Sequence, residues 1–202
     1  MKKTLLFFIV LCSFSIGTIW AEEVSPTADL KPVLHDITTV LLDESLKGKE
    51  HLEERRDKIM SLIKRGFDFR EMSKRVLGKK WRQIDDQEKD RFTSLMTKLL
   101  ENVYIGKLES YSGQQIEFVG ETVRGARAQV TVVVENNDVE IPIHYIMRKT
   151  DSGWLVYDIN IEGVSLVRNY QEQFKSILRK DDYEGLVKVL EDKNRTFLEE
   201  AM

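Results

Sequence analysis

His144, Tyr145, Tyr157 and Asp158 are the side chains of this sequence best suited to acid–base chemistry. A general acid or base has to sit on an inward face, with a shifted pKa and a polar partner in reach. Strand alternation sorts the candidates. Ile141, Ile143, Tyr145 and Met147 form the apolar face of one predicted strand, so His144 points the other way with Pro142 and Arg148. In the next strand Leu155, Tyr157, Ile159 and Ile161 share a face, while Asp158 sides with Trp154, Val156 and Asn160 and is expected to hydrogen-bond at a strand end. His144 and Asp158 are therefore expected to face away from any cavity.

Other chemistries find less support. His35, His51 and His144 are scattered without ligand spacing, and the sequence holds no HExxH, CxxC or Asp-rich loop. It also lacks a Gly-rich phosphate loop and a GxSxG elbow. No metal or cofactor is expected. The stronger signal is apolar: Phe67, Phe69, Met72, Trp81, Phe92, Met96, Tyr104, Tyr111, Tyr145, Met147, Tyr157, Tyr170 and Phe174 are bulky groups drawn from helices and strands alike. They can fill a core, or, because aromatic and thioether groups adapt to irregular apolar shapes, line a cavity.

The elements that must position them follow from periodicity. Leu30, Val33, Leu34, Ile37, Val40 and Leu41 recur at helical steps after Ser25-Pro26-Thr27. A second helix is predicted over about 51–64. A third carries Phe67, Phe69, Met72, Val76 and Leu77 and stops at Gly78. The longest helix starts at a capping box formed by Asp85 and Glu88 and runs through Phe92, Leu95, Met96, Leu99, Leu100, Val103, Tyr104 and Leu108 to Tyr111. After Ser112-Gly113 the period becomes two. Strands are predicted over 116–120, 128–135, 140–148 and 154–161, joined by short turns at Arg124-Gly125, Asn136-Asn137-Asp138 and Asp151-Ser152-Gly153, which makes neighbours antiparallel. Two helices, over 164–178 and 183–198, close the chain. The expected class is α+β: a curved antiparallel sheet of about four strands, with helices over its mouth enclosing space.

The chain has 202 residues, 31 basic and 34 acidic, and a net charge of −3. Such a balance is a poor match to a phosphate backbone, and nucleic acid is set aside. The start of the chain is unlike the rest: Met1-Lys2-Lys3, an apolar run from Leu5 to Trp20, then Ala21 followed by Glu22 and Glu23. This pattern predicts a secretory signal peptide over 1–21 and a single domain over 22–202. The sixteen-residue run is shorter than the ~20 residues of a membrane span. Leu11, rather than a small residue, precedes Cys12, which argues against a lipid anchor. Cleavage after Ala21 leaves 181 residues, no cysteine and a net charge of −5, so the exported domain has to be held by its core alone.

The stretch from Phe67 to Gly78 with Trp81, then Phe92, Leu99, Tyr104, Leu108 and Tyr111, resembles the MlaC family, the periplasmic phospholipid-binding component of the Mla (maintenance of lipid asymmetry) transport system, also called the toluene-tolerance auxiliary family. The resemblance is strongest from Trp154 to Val167, and continues through Asn169-Tyr170, Gln173-Phe174, Gly185-Leu186 and Leu190. Gln171 stands where family members often have Arg. The resemblance implies an NTF2-like fold with an added helical part, no catalysis and no cofactor. It further implies a monomer in the periplasm with a deep apolar pocket that takes the acyl chains of a glycerophospholipid. Its implied partners are an inner-membrane MCE-domain ABC transporter complex and an outer-membrane lipoprotein–porin complex.

On this reading the tail contacts are Phe67, Phe69, Met72, Val76 and Trp81, with Phe92, Met96, Leu99, Val103 and Tyr104 from the long helix. The sheet and closing helix add Val130, Val132, Ile141, Ile143, Tyr145, Met147, Val164, Val167 and Tyr170. Two other readings compete with lipid carriage. One is an NTF2-like enzyme using Tyr145, Tyr157 or Asp158 on a small apolar substrate; the other is an envelope adaptor with a filled core and no ligand.

Overall fold

Ser25 starts the first helix, its hydroxyl accepting from the Ala28 N–H at 3.1 Å, with Pro26 in the first turn where the missing N–H costs nothing. The computed structural model describes residues 25–136 and 139–201; the predicted leader over 1–21, and Asn137-Asp138 of the second predicted turn, lie outside the described residues. Helices α1 (Pro26–Leu42), α2 (Leu52–Gly66), α3 (Phe69–Leu77) and α4 (Asp86–Glu109) come first. Strands β1 (Ile116–Arg124), β2 (Arg127–Asn136), β3 (Val139–Thr150), β4 (Gly153–Ile161) and β5 (Val164–Ser165) form an antiparallel meander in sequential order. Helices α5 (Leu166–Lys180) and α6 (Asp182–Ala201) follow. The class is α+β as expected.

The predicted boundaries hold where a cap sets them. Asp85 accepts from the Glu88 N–H at 2.8 Å and opens α4; Gly78 ends α3 at φ +56°, a conformation that disfavours any residue with a Cβ. Two boundaries differ. Phe67 is not helical but extended, bridged in parallel to Val156. The helix behind it starts only at Phe69, because the Asp68 carboxylate caps it, accepting from the Glu71 N–H at 2.8 Å and from Arg148 at 2.6 Å. Val164 does not begin the last helix pair either: it pairs with Ile161 in a fifth strand beyond the expected four.

One face of the sheet is apolar in rungs across the strands. Ile116, Val134 and Ile141 form one rung; Val132, Ile143 and Ile161 form another; Val130, Tyr145 and Ile159 form a third; Ala128, Met147 and Val156 form a fourth. Between the last two rungs the β3–β4 register slips, leaving an extra residue on β4. A bulge of this kind reverses the side-chain parity beyond it. Trp154 and Val156 therefore sit on the same inner face as Ile159 and Ile161, and are buried there against Leu30 of α1. This corrects the parity expected for β4: Trp154 and Val156 point inward, and Tyr157 goes to the other side. The outer face of β3 is polar as expected, with His144 Nδ1 within 3.0 Å of the Thr131 hydroxyl.

Burial divides the interior into three clusters. Helices α3 to α6 make one, around Phe92, Met96, Leu186 and Leu190; the sheet and α1 make a second; α1, α2 and α4 meet at Val33, Ile37, Ile59 and Ile105 in a third. The α2–α4 contact is also clamped electrostatically. Glu109 takes the Arg56 fork at 2.9 and 3.2 Å and Arg55 at 3.0 Å, with only 12% of its side chain exposed. Burial works against its charge, but the hydrogen bonds from Arg56 and Arg55 prevail and hold its carboxyl below the ordinary glutamate value. That contribution to stability is complete above the ordinary range of ~4.3 and is lost as pH falls through the lower value of the folded chain. Glu109→Gln is expected to destabilise the domain by about 2 kcal/mol at neutral pH, because two arginines lose their charged acceptor. It should also flatten the acid limb of a stability-versus-pH curve, which urea titrations from neutral pH downward would measure.

Candidate functional site

Over the first three rungs, Val130 apart, the inner face of the sheet and the helices opposite are not packed tight against each other. Between them lies a cavity of about 450 Å³. Its walls come from α1 to α4, β1 to β4 and the first residue of α5. Leu34, Ile37 and Leu41 project from α1, and Met60 and Ile63 from α2. Leu100, Tyr104, Ile105 and Leu108 come from one side of α4, and the inner sheet face supplies Ile116, Val132, Val134, Ile141, Ile143, Tyr145, Ile159 and Ile161. Phe67, Phe69 and Met72 line it at the entry to α3, the two rings stacked with centroids 6.2 Å apart, and Leu166 closes it from α5.

Polar groups are few and sit mostly toward the mouth. Lys107 and Ser110 are exposed, Gln114, Thr38 and Glu101 half-buried. Tyr111 turns its hydroxyl out of the apolar space, donating to the Gln114 carbonyl at 2.9 Å. Glu101 is neutralised by Lys98 at 2.9 Å. Deeper in, burial pushes the Tyr145 phenol up to about 12, and burial raises Tyr104 as well, partly offset by a hydrogen bond with Tyr170. These phenols are uncharged at any physiological pH. The wall is an uncharged hydrocarbon surface with a polar rim.

The expected tail contacts divide into two sets. Phe67, Phe69, Met72, Tyr104, Val132, Ile141, Ile143 and Tyr145 line the cavity. Val76, Trp81, Phe92, Met96, Leu99, Val167 and Tyr170 do not: they belong to the packed cluster of α3 to α6, with Val103 against it, while Val130 and Met147 are buried under the sheet. Phe92 and Phe174 meet edge to face at 6.3 Å, the packing of a filled core. Val164 is 56% exposed on the edge strand β5 and does not line this cavity.

Several wall residues escaped the sequence reading. Leu34, Ile37 and Leu41 have the period of an ordinary buried helix face, and only their position over the sheet makes them lining. On α4 part of the signal existed: Leu100, Tyr104 and Leu108 recur at helical steps beside the row of Phe92, Met96, Leu99 and Val103, with Tyr111 just past the helix end, although Leu100 and Tyr104 also touch the packed cluster.

The acid–base candidates do not converge on this cavity. Tyr145 alone reaches the cavity, and among the described residues its hydroxyl has no hydrogen-bond partner. Tyr157 lies outside it under the Arg75 guanidinium, 3.9 Å from the ring centre. Asp158 is spent as a structural acceptor, taking the Ser165 hydroxyl at 2.6 Å and the Val167 N–H at 3.0 Å at the start of α5. Gln171 ties α5 to α3 by donating to the Arg75 carbonyl at 3.1 Å.

Known proteins share this architecture. A solved structure of a phospholipid-binding protein from Ralstonia solanacearum, in complex with a phospholipid, superimposes with a TM-score of 0.79 at 25% identity, covering 86% of this chain and 99% of that one. The Haemophilus influenzae intermembrane phospholipid transport system binding protein MlaC is 25% identical over 119 residues, which are 56% of this chain and 56% of that protein. The alignment thus spans about half the length of that relative. The profile of the MlaC protein family matches residues 31–192, which takes in every wall of the cavity, and on that match the chain belongs to the MlaC family.

Proposed function

We propose that this protein is a non-enzymatic carrier that shelters the acyl chains of a glycerophospholipid in the cavity between the sheet and α1, α2 and α4. The observation that supports it is the uncharged rung surface of Ile116, Val132, Ile143, Tyr145 and Ile159 facing about 450 Å³ of open space. Exposing two acyl chains of about 30 methylenes to water costs on the order of 25 kcal/mol at ~0.8 kcal/mol per methylene, so a lipid does not cross an aqueous gap uncovered. A bilayer already shelters the same chains. A carrier that exchanges lipid with a membrane has only to match that environment within a few kcal/mol, and a hydrocarbon wall does so.

The chain is exported by removal of residues 1–21 and works in the periplasm as a monomer. There it exchanges lipid with an MCE-domain ABC transporter complex at the inner membrane and a lipoprotein–porin complex at the outer membrane. An enzyme using Tyr145, Tyr157 or Asp158 would need one of those groups in the cavity beside a polar partner, and Tyr145, the one that lines it, has no hydrogen-bond partner among the described residues; a ligand-free adaptor would need the cavity filled. Native mass spectrometry of protein purified from the envelope tests the proposal: a chain beginning at Glu22 with one phospholipid mass added is expected. Preparations that are repeatedly empty, and that take up no labelled phospholipid from vesicles, overturn it.

A further inference from the structure

Among the described residues the rim of the cavity has one cationic side chain, and no carboxylate pairs with it. Lys107 lines the mouth from the last turns of α4, exposed to solvent, and among the described residues no carboxylate lies within ion-pair distance of it. Its ammonium is 5.4 Å from the centre of the Tyr104 ring, which itself lines the cavity one turn earlier. A lysine near a helix C-terminus ordinarily answers the helix dipole by reaching for the last carbonyls. Lys107 instead leans back over an aromatic face at the edge of the apolar space, where a cation is held by the ring without losing its hydrogen-bonding capacity.

The carboxylates that could quench it are committed elsewhere. Glu101, also at the rim, is paired with Lys98, and Glu109 accepts from both Arg55 and Arg56. An anion arriving at this end of α4 therefore meets an unneutralised ammonium directly above the hydrocarbon wall.

We propose that Lys107 binds the phosphate of a lipid whose tails occupy the cavity, so that the carrier takes phosphate-bearing lipids in preference to neutral lipids with identical chains. This rests on the carrier reading and adds an orientation to it: the headgroup lies at the C-terminal end of α4, and the tails run inward between the sheet and α1. Lysine engages phosphate as a point charge with rotatable donors, which gives preference for the phosphate without fixing the substituent beyond it.

The test compares delipidated mature protein and its Lys107→Gln and Lys107→Arg variants, offered vesicles containing labelled diacylglycerophosphocholine or labelled diacylglycerol of the same acyl composition. Wild-type protein is expected to favour the phospholipid. Lys107→Gln is expected to lower that preference about fivefold, the scale of a partly exposed ion pair, without reducing diacylglycerol uptake. Lys107→Arg should restore it, and raising salt should erode the preference in wild type but not in Lys107→Gln. Unchanged melting temperatures in both variants separate this role from a structural one at the helix end. An unchanged lipid preference in Lys107→Gln overturns the proposal while leaving the carrier standing. Inorganic phosphate that binds at Lys107 without competing with phospholipid also overturns it, as a site for the free anion. Wild-type protein that takes up neither lipid overturns the carrier reading itself.

Discussion

Ile143→Asp is expected to yield a folded protein that carries almost no lipid. Ile143 sits in the middle of β3 between Val132 and Ile161, half-buried, with its side chain facing the open space rather than packed core. In the empty protein a carboxylate there stays hydrated by water in the cavity, and the fold survives. With acyl chains present the same carboxylate has to give up its water to hydrocarbon, which offers no hydrogen bond in return. Even a reduced penalty of about 3 kcal/mol for the uncompensated charge lowers affinity more than about 100-fold. Lipid per chain, measured by extraction and mass spectrometry, should fall to background while the unfolding transition remains cooperative. Val164→Asp is the control: it adds the same charge at an exposed edge position, and lipid load should not change. A full lipid load in Ile143→Asp would show that tails do not run along this face.

Phe92→Ala should do the converse. Phe92 is fully buried and makes its edge-to-face contact with Phe174 inside the cluster of α3 to α6, away from the cavity wall. Truncating it removes a large apolar side chain and leaves a void that helices tied together on several sides cannot close. The expected loss is about 3–5 kcal/mol, or roughly 10 °C in melting temperature for a domain of this size. Lipid bound per folded chain should stay as in wild type. A protein that keeps its melting temperature and loses its lipid would place Phe92 against the tails and extend the cavity into the helical cluster. Together the two variants separate residues that fill the interior from residues that line it, a distinction that composition does not make.

The class and element order were legible because local signals agreed. The Ser25 and Asp85 caps, the stop at Gly78 and the turns at Arg124-Gly125 and Asp151-Ser152-Gly153 all act over a few residues, and each appears in the structure where the sequence predicts it. The parity of β3 was equally readable, since Ile141, Ile143, Tyr145 and Met147 alternate without interruption. Alternation failed on β4. There the register slip opposite Ile146 and Met147 inserts one residue, sends Tyr157 out to Arg75 and brings Trp154 and Val156 in. A bulge leaves no mark on composition, because the apolar residues on both sides of it look continuous.

The cavity itself was visible only as an excess of large apolar groups. From the amino-acid order alone came an α+β domain, an antiparallel meander framed by helices, and a set of bulky residues with no catalytic or metal-binding grouping. Tertiary structure decided which of those residues meet one another and which face open space. Phe92, Met96 and Leu99 pack into the cluster of α3 to α6 and do not reach the cavity; Leu100 and Tyr104, on the neighbouring stripe of the same helix, border both that cluster and the open space, and Leu108 lines the open space beyond them. The physical reason is that removal from water favours the same side chains in both settings, with no direction attached. Whether two apolar surfaces touch or leave room between them depends on the distance at which the helices are held from the sheet. That distance is set by contacts far apart in the chain, such as Glu109 with Arg55 and Arg56, and Leu30 with Trp154.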